Sequence, residues 1–172
     1  MDKISVLFVC LGNICRSPAA EAIFKSLIDD KGISNQFIVD SAGTGSWHVG
    51  KKADSRMRFA AKQRNINIMS NARQIIEDDF LKFKYILVMD NSNFNNVLDF
   101  KNRVKGSDFA KILKMQDFSS IFAEKEVPDP YFGGDDGFDH VLDILEDSVS
   151  CFLEDIISVS YTHLTLPTTL TV

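Results

Sequence analysis

The chain lacks the features that would assign it to several special classes of protein. It has only three cysteines in 172 residues, Cys10, Cys15 and Cys151, too few for a disulfide framework. No cysteine or histidine spacing suggests a zinc site, so we predict no metal centre. We find no apolar run of membrane-spanning length and no signal-peptide pattern, and we therefore expect a cytoplasmic location. The formal net charge of −5 argues against general nucleic-acid binding.

The composition and length of the chain are ordinary for a single globular domain. Apolar residues make up 45% of the chain and charged residues 25%, and the length suits one domain with a real core. The segment 158–172 differs, because it has five threonines and no charged side chain other than a histidine. We predict one domain over residues 1–157, followed by a tail over 158–172 that is artefactual or unstructured. A genuine C-terminal strand is the alternative for the tail.

Short apolar runs alternate along the chain with segments of helical periodicity. The predicted strands cover residues 4–9, 37–41, 85–89 and 110–115. The predicted helices cover residues 18–31, 54–64, 92–100 and 137–157. This alternation predicts an α/β fold, in which a doubly wound parallel sheet carries helices on both faces. Ligands of such sheets bind beyond the carboxyl ends of the strands, and the first predicted strand leads directly into Cys10.

The loop after the first strand, residues 10–18, predicts an anion-binding site. Inward-pointing backbone N–H groups form a concavity for anions, and the N-terminus of the next helix adds its own donors. We expect Gly12 to allow a positive φ in this loop, and Asn13 is one of the few other residues that tolerates it. Ser17 and Pro18 predict the N-cap and first position of the helix, with Glu21 in its first turn. The predicted cradle comprises Leu11, Gly12, Asn13, Ile14, Cys15, Arg16 and Ser17.

Two side chains of this loop suggest covalent phosphate chemistry. A helix N-terminus and a neighbouring cation favour the thiolate form of cysteine, so Cys10 is predicted to be a nucleophile. Arg16 offers a planar fork of donors that matches two phosphoryl oxygens. Together they predict attack on the phosphorus of a monoester through a phosphocysteine. For the cysteine taken alone, a buried structural role is the alternative.

A leaving alkoxide or phenoxide needs a proton, and Asp129 is the best candidate to supply it. Prolines flank Asp129, and Tyr131 and Phe132 follow it as a candidate aromatic wall. Trp47, the only tryptophan, is a candidate substrate contact in the loop after the second strand. Taken from the residues alone, Asp90 is expected to support structure. The histidines are expected to be surface residues: His48, His140 and His163.

Two motifs, Cys10–Ser17 and Asp129–Phe132, resemble those of the low molecular weight protein tyrosine phosphatase family. The resemblance extends from about residue 3 to 157. It implies a four-stranded parallel sheet in a flavodoxin-like three-layer sandwich, with no cofactor and no metal. It also implies that Cys10 is the nucleophile, that Arg16 binds the phosphate, and that Asp129 is first the general acid and then the base for water.

The resemblance further implies supporting roles. Asn13, Ser17 and Ser41 would form a hydrogen-bond network that shapes the loop, and Asp90 would orient the arginine. Cys15 would be the redox partner of the nucleophile, a role that its closeness in sequence also permits. The walls that admit a phosphotyrosine ring would be Trp47, Tyr131 and Phe132. One departure is Ser70, which stands where many members carry a network histidine.

The predicted function is hydrolysis of phosphotyrosine in a protein substrate, with a bacterial tyrosine kinase as a family-level guess. A protein arginine phosphatase is the first alternative, but such members usually carry threonine where Ile14 stands. An arsenate reductase would need two further central cysteines, and none lies between Cys15 and Cys151. A non-catalytic phosphotyrosine-binding module would be expected to lack the nucleophile or the acid. The sequence does not predict an oligomeric state.

Overall fold

A computed structural model describes the backbone of residues 2–171 and the side chains of residues 2–160. Its centre is a four-stranded, all-parallel sheet with the strand order β2-β1-β3-β4. The strands are β1 (Ile4–Cys10), β2 (Phe37–Gly43), β3 (Tyr85–Val88) and β4 (Lys111–Lys114). The helices are α1 (Arg16–Asp30), α2 (Ser55–Lys62), α3 (Asp79–Lys82), α4 (Asn91–Asn102) and α5 (Asp136–Thr171). The predicted α/β class and four-stranded parallel sheet are confirmed.

The sheet is buried on both faces. Successive residues of β1 point to opposite faces, and both sets are mainly apolar. Val6 and Phe8 belong to the core beneath α1 and α5, whereas Leu7 and Val9 belong to the core beneath α3 and α4. Phe24 of α1 occupies the centre of the first core. Its ring centroid lies 5.7, 5.3 and 6.2 Å from those of Phe8, Phe37 and Phe152. These contacts hold α1, and with it the loop before α1, against β1.

The strand β2 continues two residues beyond the predicted end, to Gly43. Parallel pairing aligns Gly43 with Cys10, so the loop after β1 lies against the end of β2. A Cβ atom on Gly43 would stand 2.8 Å from the carbonyl oxygen of Leu11. Glycine is therefore needed here for close approach of the two backbones. The short helix α3 was not predicted.

The helix α1 begins at Arg16, and the prediction that Ser17 is its N-cap is wrong. The N-cap residue is Cys15, which makes no side-chain capping bond. Pro18 lies at the third helical position and is tolerated there, because the first N–H groups of a helix have no intrahelical acceptor. The first turn of the helix has no acidic residue, because Glu21 lies beyond it. The Ser17 hydroxyl does not cap because it bonds other side chains of the loop.

The domain boundary at residue 157 stays a prediction. Helix α5 is continuous from Asp136 to Thr171, so it spans the predicted boundary. The side chains of residues 161–172 lie outside the described part of the chain.

Candidate active site

The loops after β1 and β2 and the segment 129–132, which follows β4 in the chain, surround a cavity of about 380 Å³. Strand order reverses between β1 and β3, and such a switch point is where doubly wound sheets bind ligands. The three predicted catalytic residues, Cys10, Arg16 and Asp129, all line this cavity. The other lining residues are Leu11, Gly12, Ile14, Cys15, Trp47, His48, Tyr131 and Phe132.

The loop at the cavity floor is shaped by Asn13, which adopts the left-handed conformation with φ 57°. Of the two residues expected to tolerate a positive φ in this loop, Asn13 adopts it and Gly12 does not. Gly12 instead allows close packing, because a Cβ atom there would stand 3.0 Å from Cδ2 of His48. Among the described residues, no backbone N–H of residues 12–15 donates to a protein acceptor. Four donors are thus available to an anion beside the N-terminus of α1.

A chain of hydrogen bonds extends from the Cys10 sulfur away from the cavity. Sγ of Cys10 lies 3.0 Å from Oγ of Ser17. Nδ2 of Asn13 donates to Oγ of Ser17 at 2.7 Å and to Oγ of Ser41 at 3.0 Å. Oγ of Ser41 in turn donates to Oε1 of Glu21 at 2.6 Å. All five side chains are buried.

The Glu21 end of this hydrogen-bond network determines which groups donate and which accept. A carboxylate only accepts, so the Ser41 hydroxyl must donate to Glu21. Asn13 therefore donates one amide hydrogen to Ser41 and the other to Ser17. The Ser17 oxygen accepts from Asn13, and its own hydrogen is available either to a thiolate at Cys10, at 3.0 Å, or to the backbone oxygen of Ala42, at 3.4 Å. Ser17 is thus placed to stabilise a thiolate.

Sequence reasoning did not identify two residues that position this network. Glu21 was assigned only to the first turn of the helix, but its buried carboxylate terminates the network and pairs with Lys25 at 2.6 Å. Arg73 donates its backbone N–H to Oδ1 of Asn13 at 3.0 Å, which completes the bonding of that amide. The Arg73 side chain is held by Asp40 at 3.0 Å and Asp79 at 2.9 Å.

Ser70, the departure from the family pattern, lies outside the network. It is half-buried and lines a separate cavity of about 470 Å³ that Glu21 and Lys25 also line. The network therefore reaches from Cys10 to Glu21 without a histidine, and the contact of Glu21 with Lys25 lies on the side that faces this second cavity.

Arg16 is 2% exposed and extends from the first turn of α1 toward the cavity. Nη1 donates to Oδ2 of Asp90 at 2.7 Å and to the carbonyl oxygen of Val127 at 3.0 Å. Asp90 is itself fixed, because it caps α4 by accepting from the N–H of Asn93 at 2.7 Å. Burial acts to lower the pKa of the Arg16 guanidinium, but the charge of Cys10 and the bond to Asp90 outweigh it and raise that pKa. Arg16 is a rigid, permanently charged donor.

Asp129 reaches the cavity on a loop that is tied to β3. The N–H of Val127 donates to the carbonyl oxygen of Met89 at 2.8 Å. Oδ1 of Asp129 accepts from the N–H of Tyr131 at 3.1 Å, and Oδ2 lies 3.6 Å from Nη2 of Arg16. The Asp129 side chain is 34% exposed, so it can exchange protons with water. The structure brings this carboxyl to the same cavity as the Cys10 sulfur.

Cys15 is a buried thiol directly before α1. Burial raises its pKa, and the negative charges of Asp54 and Cys10 raise it further. Cys15 is therefore protonated at neutral pH, in contrast to the role expected for Cys10. The two cysteines are unbonded.

The mouth of the cavity is aromatic. Trp47 is 69% exposed and Phe132 is 89% exposed, and the rings of Tyr131 and Phe132 pack edge to face at 4.8 Å. His48, which was expected to be a surface residue, is half-buried and lies 5.9 Å from the Tyr131 ring. Gly45 leaves the space that the Trp47 ring occupies. All four rings line the cavity.

Among the described residues, no group of three or more histidine, cysteine or acidic side chains is arranged to hold a metal ion. Within the same part of the chain, no helix combines the length and the apolar character that crossing a membrane requires.

Comparisons with known proteins agree with this geometry. Residues 5–159 match the family model described as low molecular weight phosphotyrosine protein phosphatase. A protein of that name from Schizosaccharomyces pombe is 44% identical over 157 residues, which cover 90% of this chain and 97% of the relative. A protein tyrosine phosphatase from Entamoeba histolytica, crystallised with Hepes in its active site, superposes with a TM-score of 0.86. It is 45% identical and covers 92% of this chain and 99% of its own.

An arginine phosphatase from Drosophila is also similar. It superposes with a TM-score of 0.84 at 35% identity, over 88% of this chain and 96% of its own. The fold is thus common to relatives that differ in the phosphorylated residue named for them.

Proposed function

The chain belongs to the low molecular weight phosphotyrosine protein phosphatase family, and we propose that Cys10, Arg16 and Asp129 carry out its hydrolysis of phosphotyrosine. The observation that supports this assignment best is the convergence of a sulfur, a guanidinium and a carboxyl on one cavity from distant parts of the chain. Each side chain is held by a contact that suits its role.

The first step forms phosphocysteine. The Cys10 sulfur attacks phosphorus, the S–P bond forms, and the bond between phosphorus and the tyrosyl oxygen breaks. Asp129, as a carboxylic acid, gives its proton to the departing phenolate oxygen. The fork of Arg16 and the free N–H groups of residues 12–15 bind the nonbridging oxygens, whose charge is spread in the transition state.

The second step releases phosphate. The Asp129 carboxylate takes a proton from a water molecule, whose oxygen attacks phosphorus while the S–P bond breaks. Cys10 leaves as a thiolate, and the Ser17 hydroxyl, 3.0 Å away, donates to the developing negative charge. The site returns to its starting charge once Asp129 has the water proton. Asn13, Ser41 and Asp90 are proposed to position the groups that react.

Cys15 is proposed as the redox partner of Cys10. Oxidation of the Cys10 thiolate by a peroxide gives a sulfenic acid, and condensation with the Cys15 thiol would form a disulfide and release water. Because burial keeps Cys15 protonated, the Cys15 thiol does not compete as nucleophile in the phosphatase reaction.

The walls of the cavity support an aryl phosphate as substrate. Trp47, Tyr131 and Phe132 provide apolar faces for a phenyl ring above the loop. Ile14, which is 8% exposed, places an aliphatic side chain without a hydrogen-bonding group in the cavity. That environment suits an ester-linked phosphate better than the polar guanidinium of phosphoarginine.

Comparing hydrolysis of matched phosphotyrosine, phosphoarginine and phosphoserine peptides tests this function. We expect the highest kcat/KM with phosphotyrosine and no turnover by Cys10→Ser. A preference for phosphoarginine would assign the chain to arginine phosphatases, and Ile14→Thr would then be expected to increase that preference further.

A reducing compartment, the cytoplasm, is proposed as the location, because the catalytic thiol must stay reduced. As protein substrate we infer a bacterial tyrosine kinase, for which the support is the family resemblance. Loss of phosphotyrosine from an autophosphorylated kinase, with Cys10→Ser as control, would test it.

A further inference from the structure

We propose that a groove beside the active site binds a lysine or arginine side chain of the phosphotyrosine substrate. The groove, called here the α2–α5 groove, has a volume of about 430 Å³. Its lining includes Ser55, Arg56, Phe59, Gln63, Asp135 and Asp139. This inference rests on the proposed function, because it assigns a specificity site to the same reaction.

The groove adjoins the catalytic cavity at the contact between Arg56 and Tyr131. Nη2 of Arg56 donates to the carbonyl oxygen of Tyr131 at 3.1 Å, and its guanidinium lies 5.6 Å from the Tyr131 ring centroid. Tyr131 is a wall of the catalytic cavity. A peptide whose phosphotyrosine enters that cavity therefore passes close to the groove with its neighbouring residues.

Phe59 supplies an apolar surface for a long side chain. It lies on α2 and is 69% exposed, although α2 buries other apolar residues, including Met57 and Ala61. A phenylalanine ring presented to solvent can cover the aliphatic stem of lysine or arginine. Its face also attracts the cationic end group.

The charges around the groove favour a cation. Arg56 is the only basic lining residue among those described, and its guanidinium is paired with Asp54 at 2.9 Å. Asp139 shares Arg64 with Asp143 and Glu146, so one cation serves three carboxylates. Asp135 has no ion pair within the described part of the chain.

A basic side chain from the substrate would supply the charge that the groove lacks. Its stem would lie on Phe59, and its end group would lie between Asp135 and Asp139. An acidic flanking residue would meet the same carboxylates at a cost and would find Arg56 already paired. The α2–α5 groove would therefore favour substrates that carry a basic residue close in sequence to the phosphotyrosine.

Phosphotyrosine peptides with a single lysine, arginine or glutamate at each flanking position test the proposal. We expect a basic residue at one or more positions to raise kcat/KM roughly 5- to 20-fold over alanine, because a cation–π contact and an ion pair add. The gain should decrease at high salt. It should fall about threefold or more in Phe59→Ala and in Asp135→Asn.

Two controls separate this site from catalysis. Hydrolysis of p-nitrophenyl phosphate, which has no flanking residues, should be unchanged in both groove variants. Asp108→Asn and Met69→Ala remove an exposed carboxylate and an exposed apolar side chain outside the groove, and they should keep the basic preference.

The outcomes are distinguishable. If the wild-type protein hydrolyses p-nitrophenyl phosphate but shows no basic preference, or prefers glutamate, the groove proposal is overturned and the proposed function stands. A basic preference that survives Phe59→Ala and Asp135→Asn would also overturn it. If p-nitrophenyl phosphate is not hydrolysed at all, the proposed function itself fails.

Discussion

The sulfur of Cys10 lies 3.0 Å from the hydroxyl oxygen of Ser17, which occupies the first turn of the helix that follows the loop. The same oxygen accepts from Asn13, and its own hydrogen is available to a thiolate at Cys10. The nucleophile is thus the end of a network that starts at Glu21 and involves strands β1 and β2, the loop after β1 and helix α1. This relationship predicts that residues outside the cavity affect the reaction.

Replacing Asp129 tests the assigned acid. Asp129→Ala should slow the cleavage of phenyl phosphate by about 10²–10⁴, because the phenolate must then leave without a proton. With p-nitrophenyl phosphate, whose leaving group is stable as an anion, Asp129→Ala should slow phosphoenzyme formation much less. Single-turnover kinetics on both substrates measure this difference. Equal losses would move the acid to another residue.

Asn13 combines a backbone role with a side-chain role, and two variants separate them. Asn13→Gly keeps the left-handed φ but removes the amide, so kcat should fall about tenfold or more because a buried bond worth ~1–3 kcal/mol is lost. Asn13→Ala should lose the same activity and a further ~1–2 kcal/mol of folding stability, because alanine disfavours the left-handed region. Urea unfolding measures the second effect. A glycine variant with full activity would contradict the network.

Glu21 should matter for turnover although it lies outside the cavity. Glu21→Ala leaves the Ser41 hydroxyl without its acceptor, and kcat should fall about tenfold because buried groups left unpaired cost ~1–3 kcal/mol. Lys25→Ala is the matched control, since it removes only the half-exposed partner of Glu21. Its kcat should stay within about twofold, because Glu21 keeps its bond from Ser41 when only the half-exposed Lys25 is lost. Equal effects of the two variants would assign the role to the ion pair instead.

Asp147 should make stability depend on pH. Burial acts to raise the pKa of its carboxyl, but hydrogen bonds from Ser120 and Ser119 outweigh it and hold the pKa below its usual value. The wild type should therefore be more stable than Asp147→Asn at pH 7, and the difference should shrink as the pH falls below about 4. Thermal unfolding across pH measures it. Asp108→Asn should show no such trend, and a difference that persisted in acid would contradict the account.

The features predicted correctly from the sequence are local in the chain. The apolar run of β1 and the dense motif after it define a strand and an anion-binding loop within a few residues. Asp129 was predicted because the chemistry of Cys10 requires an acid and the prolines around it mark a fixed loop. It lines the same cavity as Cys10, and its role as the acid stays a prediction.

The features that were missed depend on contacts between distant segments. Serine is a favoured N-cap residue, which is why Ser17 was predicted to cap α1. Its hydroxyl instead contacts Cys10 and Asn13, and α1 begins earlier, at Arg16. Glu21 carries no local signal beyond its place in a helix, since its partner Ser41 lies twenty residues away. His48 could have been noticed only through Gly12, whose missing Cβ leaves room for the imidazole ring.

The most direct test of the account is to trap the covalent intermediate. Phosphotyrosine peptide is mixed with Asp129→Ala protein, in which hydrolysis of phosphocysteine should be slow, and the reaction is quenched and digested for mass spectrometry. The account predicts one phosphoryl group on the sulfur of Cys10 and none in the same variant carrying Cys10→Ser. Phosphate on another residue, or turnover by Cys10→Ser, would contradict it.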